Sequence, residues 1–179
     1  MYFKKMVGQK CYLSPLHVND AEKFTEWLND LELTSHLSTY NSVFTVEEEK
    51  EVLENLSRDH NYSIVDIESD ELIGSCGFLE TDHLNQTSEA IIFIGNKNYW
   101  NKGYGTEALI LLLDYGFKAL NFHNVMLRVY SFNDRAIRSY EKIGFKIMGK
   151  RREALKRGNK TYDILYMDLL YDEFYGKMN

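Results

Sequence analysis

Two hydrophobic periods alternate along the chain, and the points where one gives way to the other outline its elements. Residues 11–16 are mostly apolar and read as a first strand that stops at Pro15. Asn19 or Asp20 then offers an N-cap for a helix that runs to about residue 29. Thr45 precedes a second helix over 46–56, where Val52, Leu53 and Leu56 form an apolar stripe on a charged cylinder. Three strand candidates follow at 62–66, 72–80 and 88–95, the last built on Ala90, Ile91, Ile92, Phe93 and Ile94, and their succession predicts antiparallel pairing. A strong helix is expected over 106–120, because Ala108, Leu109, Leu112, Gly116, Ala119 and Leu120 recur at helical spacing. Val125, Leu127 and Val129 alternate with Met126, Arg128 and Tyr130, the period of a half-buried strand. Asn133 opens a short helix with Ala136, Ile137 and Tyr140 on one stripe, closed by Gly144 as a left-handed residue past its end. Strands over 145–152 and 161–170, joined by a basic turn at Gly158 and Asn159, complete the pattern. This order of strands with helices between them predicts an α+β fold on a mixed sheet.

Length and charge narrow the picture. At 179 residues, with no repeat and no Pro- or Ser-rich linker, the chain is expected to form a single domain over 1–179. The formal net charge of −6 argues against a nucleic-acid partner, since phosphate neutralisation needs a Lys/Arg surplus, and it favours a cationic substrate. The many tyrosines and phenylalanines supply rings for a cleft as well as for a core. Cys11 and Cys76 give no disulfide framework and read as free thiols of a reducing compartment. No segment resembles a signal peptide or reaches membrane-spanning length, so a cytoplasmic location and no membrane partner are expected.

The chemistry is concentrated in Tyr99, Trp100, Asn101, Lys102, Gly103, Tyr104, Gly105 and Thr106, which lie between a strand and the start of a helix. Free amides and the positive end of the helix dipole make such a junction an anion site, and glycines let the backbone approach a pyrophosphate closely. An ordinary strand-to-helix turn would use the same residues. Gly103, Gly105 and Ala108 also fit the dinucleotide fingerprint G-x-G-x-x-G/A, but no acidic residue between Asp114 and Asp134 is available to hold a ribose. No Walker A loop occurs, and His17, His36, His60, His83 and His123 are scattered without metal-ligand spacing, so no metal is expected.

Three segments in order, Glu89 to Gly95, the loop from Tyr99 to Gly105 leading into Thr106, Glu107, Ala108 and Leu109, and Asn133 to Phe145, resemble the GNAT superfamily of N-acetyltransferases. Within it they look like the Rim-type protein N-terminal acetyltransferases and their bacterial spermidine acetyltransferase relatives. The resemblance covers roughly 11–170. It implies a central mixed, mostly antiparallel sheet of six to seven strands flanked by about four helices, with splayed strands holding coenzyme A. It implies acetyl-CoA as co-substrate, its pantetheine arm on the edge of Ile92, Phe93 and Ile94 and its pyrophosphate on the amides of Asn101 to Thr106. Trp100 stands where the family usually has Arg or Gln, and Asn133 and Arg135 fall on the cofactor side.

The residue-level readings stay double. Asn133 is a good N-cap by itself and a cofactor contact by resemblance. Tyr140 is either a core tyrosine or the general acid for the departing thiolate, and Glu89 either a solvated strand end or the carboxylate that takes a proton from an ammonium acceptor. The basic stretch 150–158 reads as a solvated hairpin or a contact for the 3′-phosphate or an acidic partner, and the stretch 33–44 occupies the family's acceptor wall. The expected reaction is direct acetyl transfer to a primary amine in a ternary complex, with a peptide N-terminus as first choice and a polyamine or other small amine as alternative. A non-catalytic CoA-binding module is the alternative of another class, and a homodimer is left open.

Overall fold

The computed structural model describes residues 1–178. Eight strands, β1 (Met6–Val7), β2 (Cys11–Pro15), β3 (Asn61–Asp66), β4 (Leu72–Asp82), β5 (Thr87–Ile94), β6 (Asn124–Tyr130), β7 (Lys146–Arg157) and β8 (Lys160–Leu170), follow the order β1-β2-β3-β4-β5-β6-β8-β7. Six α-helices accompany them: α1 (Ala21–Leu28), α2 (Leu31–Thr34), α3 (Val46–Leu56), α4 (Tyr104–Lys118), α5 (Asp134–Ile143) and α6 (Tyr171–Met178). Strands β5 and β6 pair in parallel, whereas β1/β2, β2/β3, β3/β4, β6/β8 and β7/β8 are antiparallel. The expected mixed sheet is therefore present, with β1, α2 and α6 added. β1 is a two-residue strand defined only by its partner β2, and α2 is a single turn capped by Asp30. α6 starts at the residue after β8 ends, with no turn residues between them to announce it.

The chain divides into two compact units: Met1–Phe78 with Ile91–Leu112, and Leu79–Ala90 with the chain from Leu113 onward. In the first unit, β2 is sealed, with Cys11, Tyr12 and Leu13 fully buried, and α1 lays Ala21, Phe24 and Trp27 against Leu16, Leu33, Leu53 and Leu72. Trp27 packs edge-on to Phe24 and Phe93, and Gly95 makes room for it: a Cβ there would lie 2.1 Å from Trp27 Cδ2. The α1 start differs from the expected cap. Asp20 makes no side-chain cap bond; its carboxylate accepts from Tyr2 Oη at 2.9 Å, and a 3-10 turn at Val18–Asp20 leads into the helix. Thr45 and Glu48 close a capping box on α3. That helix turns Val52 outward and buries Glu49 with Leu53, so the apolar stripe is shifted from the expected one.

In the second unit, Val125, Leu127 and Val129 are buried as their alternation requires, and Gly158 turns the β7–β8 hairpin with φ +56°. β8 runs between β6 and β7, in register from Asn124↔Leu170 to Tyr130↔Ile164. Phe117 of α4 packs on Phe174 of α6, and Tyr175 donates to Asp114 at 3.0 Å; Ala119, expected on the buried stripe, is exposed.

Candidate active site

The loop that opens α4 belongs to the first unit. Asn101 has φ +59° and Gly103 φ +86°, with Lys102 between them outside the left-handed region. Left-handed residues on either side of Lys102, just ahead of a helix N-terminus, suit a nest in which backbone N–H groups converge on an anion. The helix bonds reach back to the Gly103 carbonyl, which accepts from Glu107 N–H at 3.0 Å, so the amides just ahead of it are first-turn donors at the positive end of the dipole. Gly103 needs its glycine for the backbone. Gly105 has no such need: a Cβ there would meet Ile94 Cγ1 at 3.5 Å and Ile92 Cδ1 at 3.8 Å, both ordinary contact distances. Thr106 completes the first turn. The loop and the end of β5 are thus adjacent, and Ile91, Ile92, Phe93 and Ile94, a run apolar enough for a core strand, are only half-buried.

Side chains around the loop are largely committed elsewhere. Trp100 Nε1 donates to the Ile94 carbonyl at 2.9 Å, so the indole braces the loop against β5 and has no N–H left for a phosphate. Tyr104 donates to Asp66 Oδ1 at 2.8 Å, a bond that pushes its phenol up to about 12 and aims it away from the nest. Burial works to raise the Asp66 carboxyl, but hydrogen bonds from Ser69 and Tyr104 outweigh it and hold it below the usual range. These residues, with Glu68, Glu71, Asn98, Tyr99 and Lys102, line an acidic recess of ≈ 460 Å³. Glu107 locks the helix to β2 by accepting from the amides of Lys10 and Cys11 at 2.7 and 3.1 Å.

The second unit holds the other candidates. Asn133 Oδ1 accepts from Ala136 N–H at 3.2 Å, the expected cap, and its Nδ2 makes no hydrogen bond among the described residues. Arg135 stands exposed on the first turn of α5. Tyr140, on the same helix, is half-buried, stacks edge-on to Phe145 at 6.0 Å, and its hydroxyl has no hydrogen-bond partner among the described residues. A core tyrosine normally satisfies that group. Desolvation pushes the phenol up to about 12, with Arg135 opposing. Glu89 is not a solvated strand end: it is buried on β5, with Oε1 accepting from Arg128 Nε at 2.7 Å and Oε2 enclosed with no hydrogen-bond partner among the described residues. Arg128 escaped the sequence reading because only the parallel register Glu89↔Met126 brings β6 beside β5. Among the described residues no cluster of three or more His, Cys, Asp and Glu is placed to hold a metal, and no helix is long and apolar enough to cross a membrane.

A nest for phosphates beside a half-open apolar strand suits a long ligand that is anionic at one end and carries a neutral, amide-rich arm, which is the class of acyl-CoA transferases. The family model for the acetyltransferase (GNAT) domain matches residues 10–146, and the chain belongs to that family. It is an N-acetyltransferase with acetyl-CoA as co-substrate. The N-acetyltransferase p20 of Bacillus licheniformis is 28% identical over 173 residues, covering 94% of this chain and 97% of that one. Spermidine N(1)-acetyltransferase of Escherichia coli is 36% identical over 80 residues, 45% of this chain and 42% of that one. The fold is shared with spermidine N-acetyltransferase from Vibrio cholerae, solved with CoA and spermine (TM-score 0.83, 22% identity, 94% and 99% coverage).

Calorimetry should register CoA and acetyl-CoA but not NAD. Gly105→Glu should fold normally, since its Cβ fits, while the added carboxylate beside the nest weakens CoA binding by about tenfold or more. Unchanged affinity would return the loop to an ordinary turn.

Proposed function

We propose that the chain acetylates a polyamine or similar small primary amine by direct attack in a ternary complex. The observation that carries the acceptor is the 36% identity to spermidine N(1)-acetyltransferase of Escherichia coli over 80 residues. The peptide N-terminus placed first by the sequence gains no such support. An acceptor of this kind arrives as an ammonium, which suits a chain of net charge −6.

In this reading the nest of Asn101 to Thr106 holds the pyrophosphate, the half-buried edge of Ile92, Phe93 and Ile94 takes the pantetheine arm, and Asn133 Nδ2 adds a donor to it. Arg135, on the first turn of the same helix, is assigned to the cofactor by the family resemblance alone. Glu89 Oε2 removes the ammonium proton, directly or through a water. The neutral nitrogen then forms the C–N bond as the C–S bond breaks, its remaining extra proton passes to solvent, and Tyr140 donates a hydrogen bond to the sulfur, which leaves as thiolate. No covalent enzyme intermediate is needed, and none is offered: Cys76 is fully buried with its thiol held well above the ordinary range, chiefly by desolvation, and Cys11 is pushed up to about 12 by burial and by Glu107.

A thiol-release assay across spermidine, spermine, putrescine and peptides with free N-termini tests the acceptor. We expect kcat/KM for at least one polyamine to exceed that of every peptide by about tenfold or more, the scale of a single well-placed ionic contact. A peptide preference of that size would reverse the assignment.

A further inference from the structure

The ion pair that holds Glu89 leaves half of its carboxylate unused. Oε1 is bound by Arg128 Nε at 2.7 Å, while Oε2 is enclosed without a hydrogen-bond partner among the described residues, and the side chain as a whole is only 5% exposed. A buried carboxylate with one bare oxygen is costly to keep unless that oxygen has a use. Arg128 itself is 45% exposed, and its Nη2 lies 3.9 Å from Glu80 Oε1. Glu80 sits inside β4 with φ +49°, a left-handed conformation unusual for a side-chain-bearing residue in a strand. The guanidinium is therefore flanked by two carboxylates, one buried and one in solvent. Across the β6–β8 ladder Tyr166 stands opposite Arg128, and Asp168, two residues further along β8, accepts from Asn124 Nδ2 at 3.1 Å.

We propose that Arg128 is the positioning residue of the base: it pins Oε1, so that Oε2 is the atom that accepts the acceptor amine's proton. The proposal rests on the reading of Glu89 as base. The N–H bond of the ammonium breaks and an Oε2–H bond forms. Protonation of Glu89 would leave the guanidinium facing a neutral acid, and Glu80 balances it at that stage. A Glu80–Arg128 pair in solvent is weak by itself, which allows the guanidinium to serve Glu89 first.

The test is the pH profile of kcat/KM for one amine acceptor, measured for the parent, Glu89→Gln, Arg128→Met, Arg128→Lys and Glu80→Gln, with acetyl-CoA affinity as a check on the fold. The acceptor's own ionisation contributes equally to all of them. Arg128→Met removes the charge that favours the ionised carboxylate, so the acid limb should move up by about one to three pH units. Arg128→Lys, which keeps the charge and loses the directed Nε–H, should fall between, and Glu80→Gln should move the limb slightly downward. If Arg128→Met does not fold, the Lys and Glu80 variants carry the test: an unmoved limb in both overturns the proposal. If the limb moves in Glu89→Gln but in neither Arg128 variant, Arg128 is structural only. If Glu89→Gln leaves the limb in place, the base assignment itself fails, and the role of Arg128 fails with it.

Discussion

Tyr140→Phe should lower kcat by about 10²- to 10³-fold while leaving the dissociation constant for acetyl-CoA within about threefold of the parent. The ring stays, with its edge on Phe145, so the packing of α5 is kept and only the hydroxyl is lost. The size follows from the environment. Desolvation holds the phenol at about 12, above the roughly 8.5 of an ordinary thiol, so full transfer to a free thiolate runs uphill. The hydroxyl therefore acts while charge is still building on sulfur, as a directed hydrogen bond, which places the loss near that of an oxyanion donor. The same shift predicts that no fall in kcat from Tyr140 ionisation appears below about pH 11, whereas an unperturbed tyrosine would produce one near 10. Steady-state kinetics with direct binding measurements check both. A variant within threefold of the parent would make Tyr140 a packing residue.

Glu49→Gln should stabilise the protein by about 3 kcal/mol at pH 8 and by almost nothing at pH 4. Glu49 is 3% exposed, its carboxyl has no hydrogen bond or ion pair among the described residues, and burial alone pushes it from 4.5 up to about 7. α3 packs on α1 and on the 3-10 turn before it, whose charged residues are Asp20, Glu22, Lys23 and Glu26. None of them offsets the shift: Lys23 is paired with Glu26, and Asp20 with Tyr2. The sign follows from proton binding. Between 4.5 and about 7 the folded state holds the proton that the unfolded chain releases, so stability falls as pH rises through that window and stays reduced above it. Denaturant melts at the two pH values decide it; an equal effect at both would mean that Glu49 is charged in the fold or finds a partner.

Glu49 also shows where the sequence stopped being legible. Val46, Leu53 and Leu56 pack on the core, and the same face carries Glu49, but a hydrophobic pattern assigns a glutamate to solvent and so selected Val52, which is 42% exposed. The loop at 99–106 and the cap at Asn133 could be read because their signals are local: glycines before a helix, and an asparagine three residues ahead of the amide it caps. The Glu89–Arg128 pair could not, because β5 and β6 are separated by α4 and their register is a property of the folded sheet. Nor could the turning of Tyr104 away from the nest, which depends on Asp66 in β3. Tyr140 lies between the two cases: helical spacing placed it on a stripe with Ala136 and Ile137, but only the fold shows a hydroxyl without a partner among the described residues.

The strand order carries a further consequence for how the chain is made. β6 lies between β5 and β8, and β8 is synthesised after α5 and β7. While the chain grows from one end, β6 has a short parallel pairing with β5 on one side and an open ladder on the other, with Val125, Leu127 and Val129 waiting for cover. Vectorial synthesis thus leaves an apolar strand with an unfilled edge for the time needed to emerge through β8, the kind of edge that pairs with a neighbouring nascent chain.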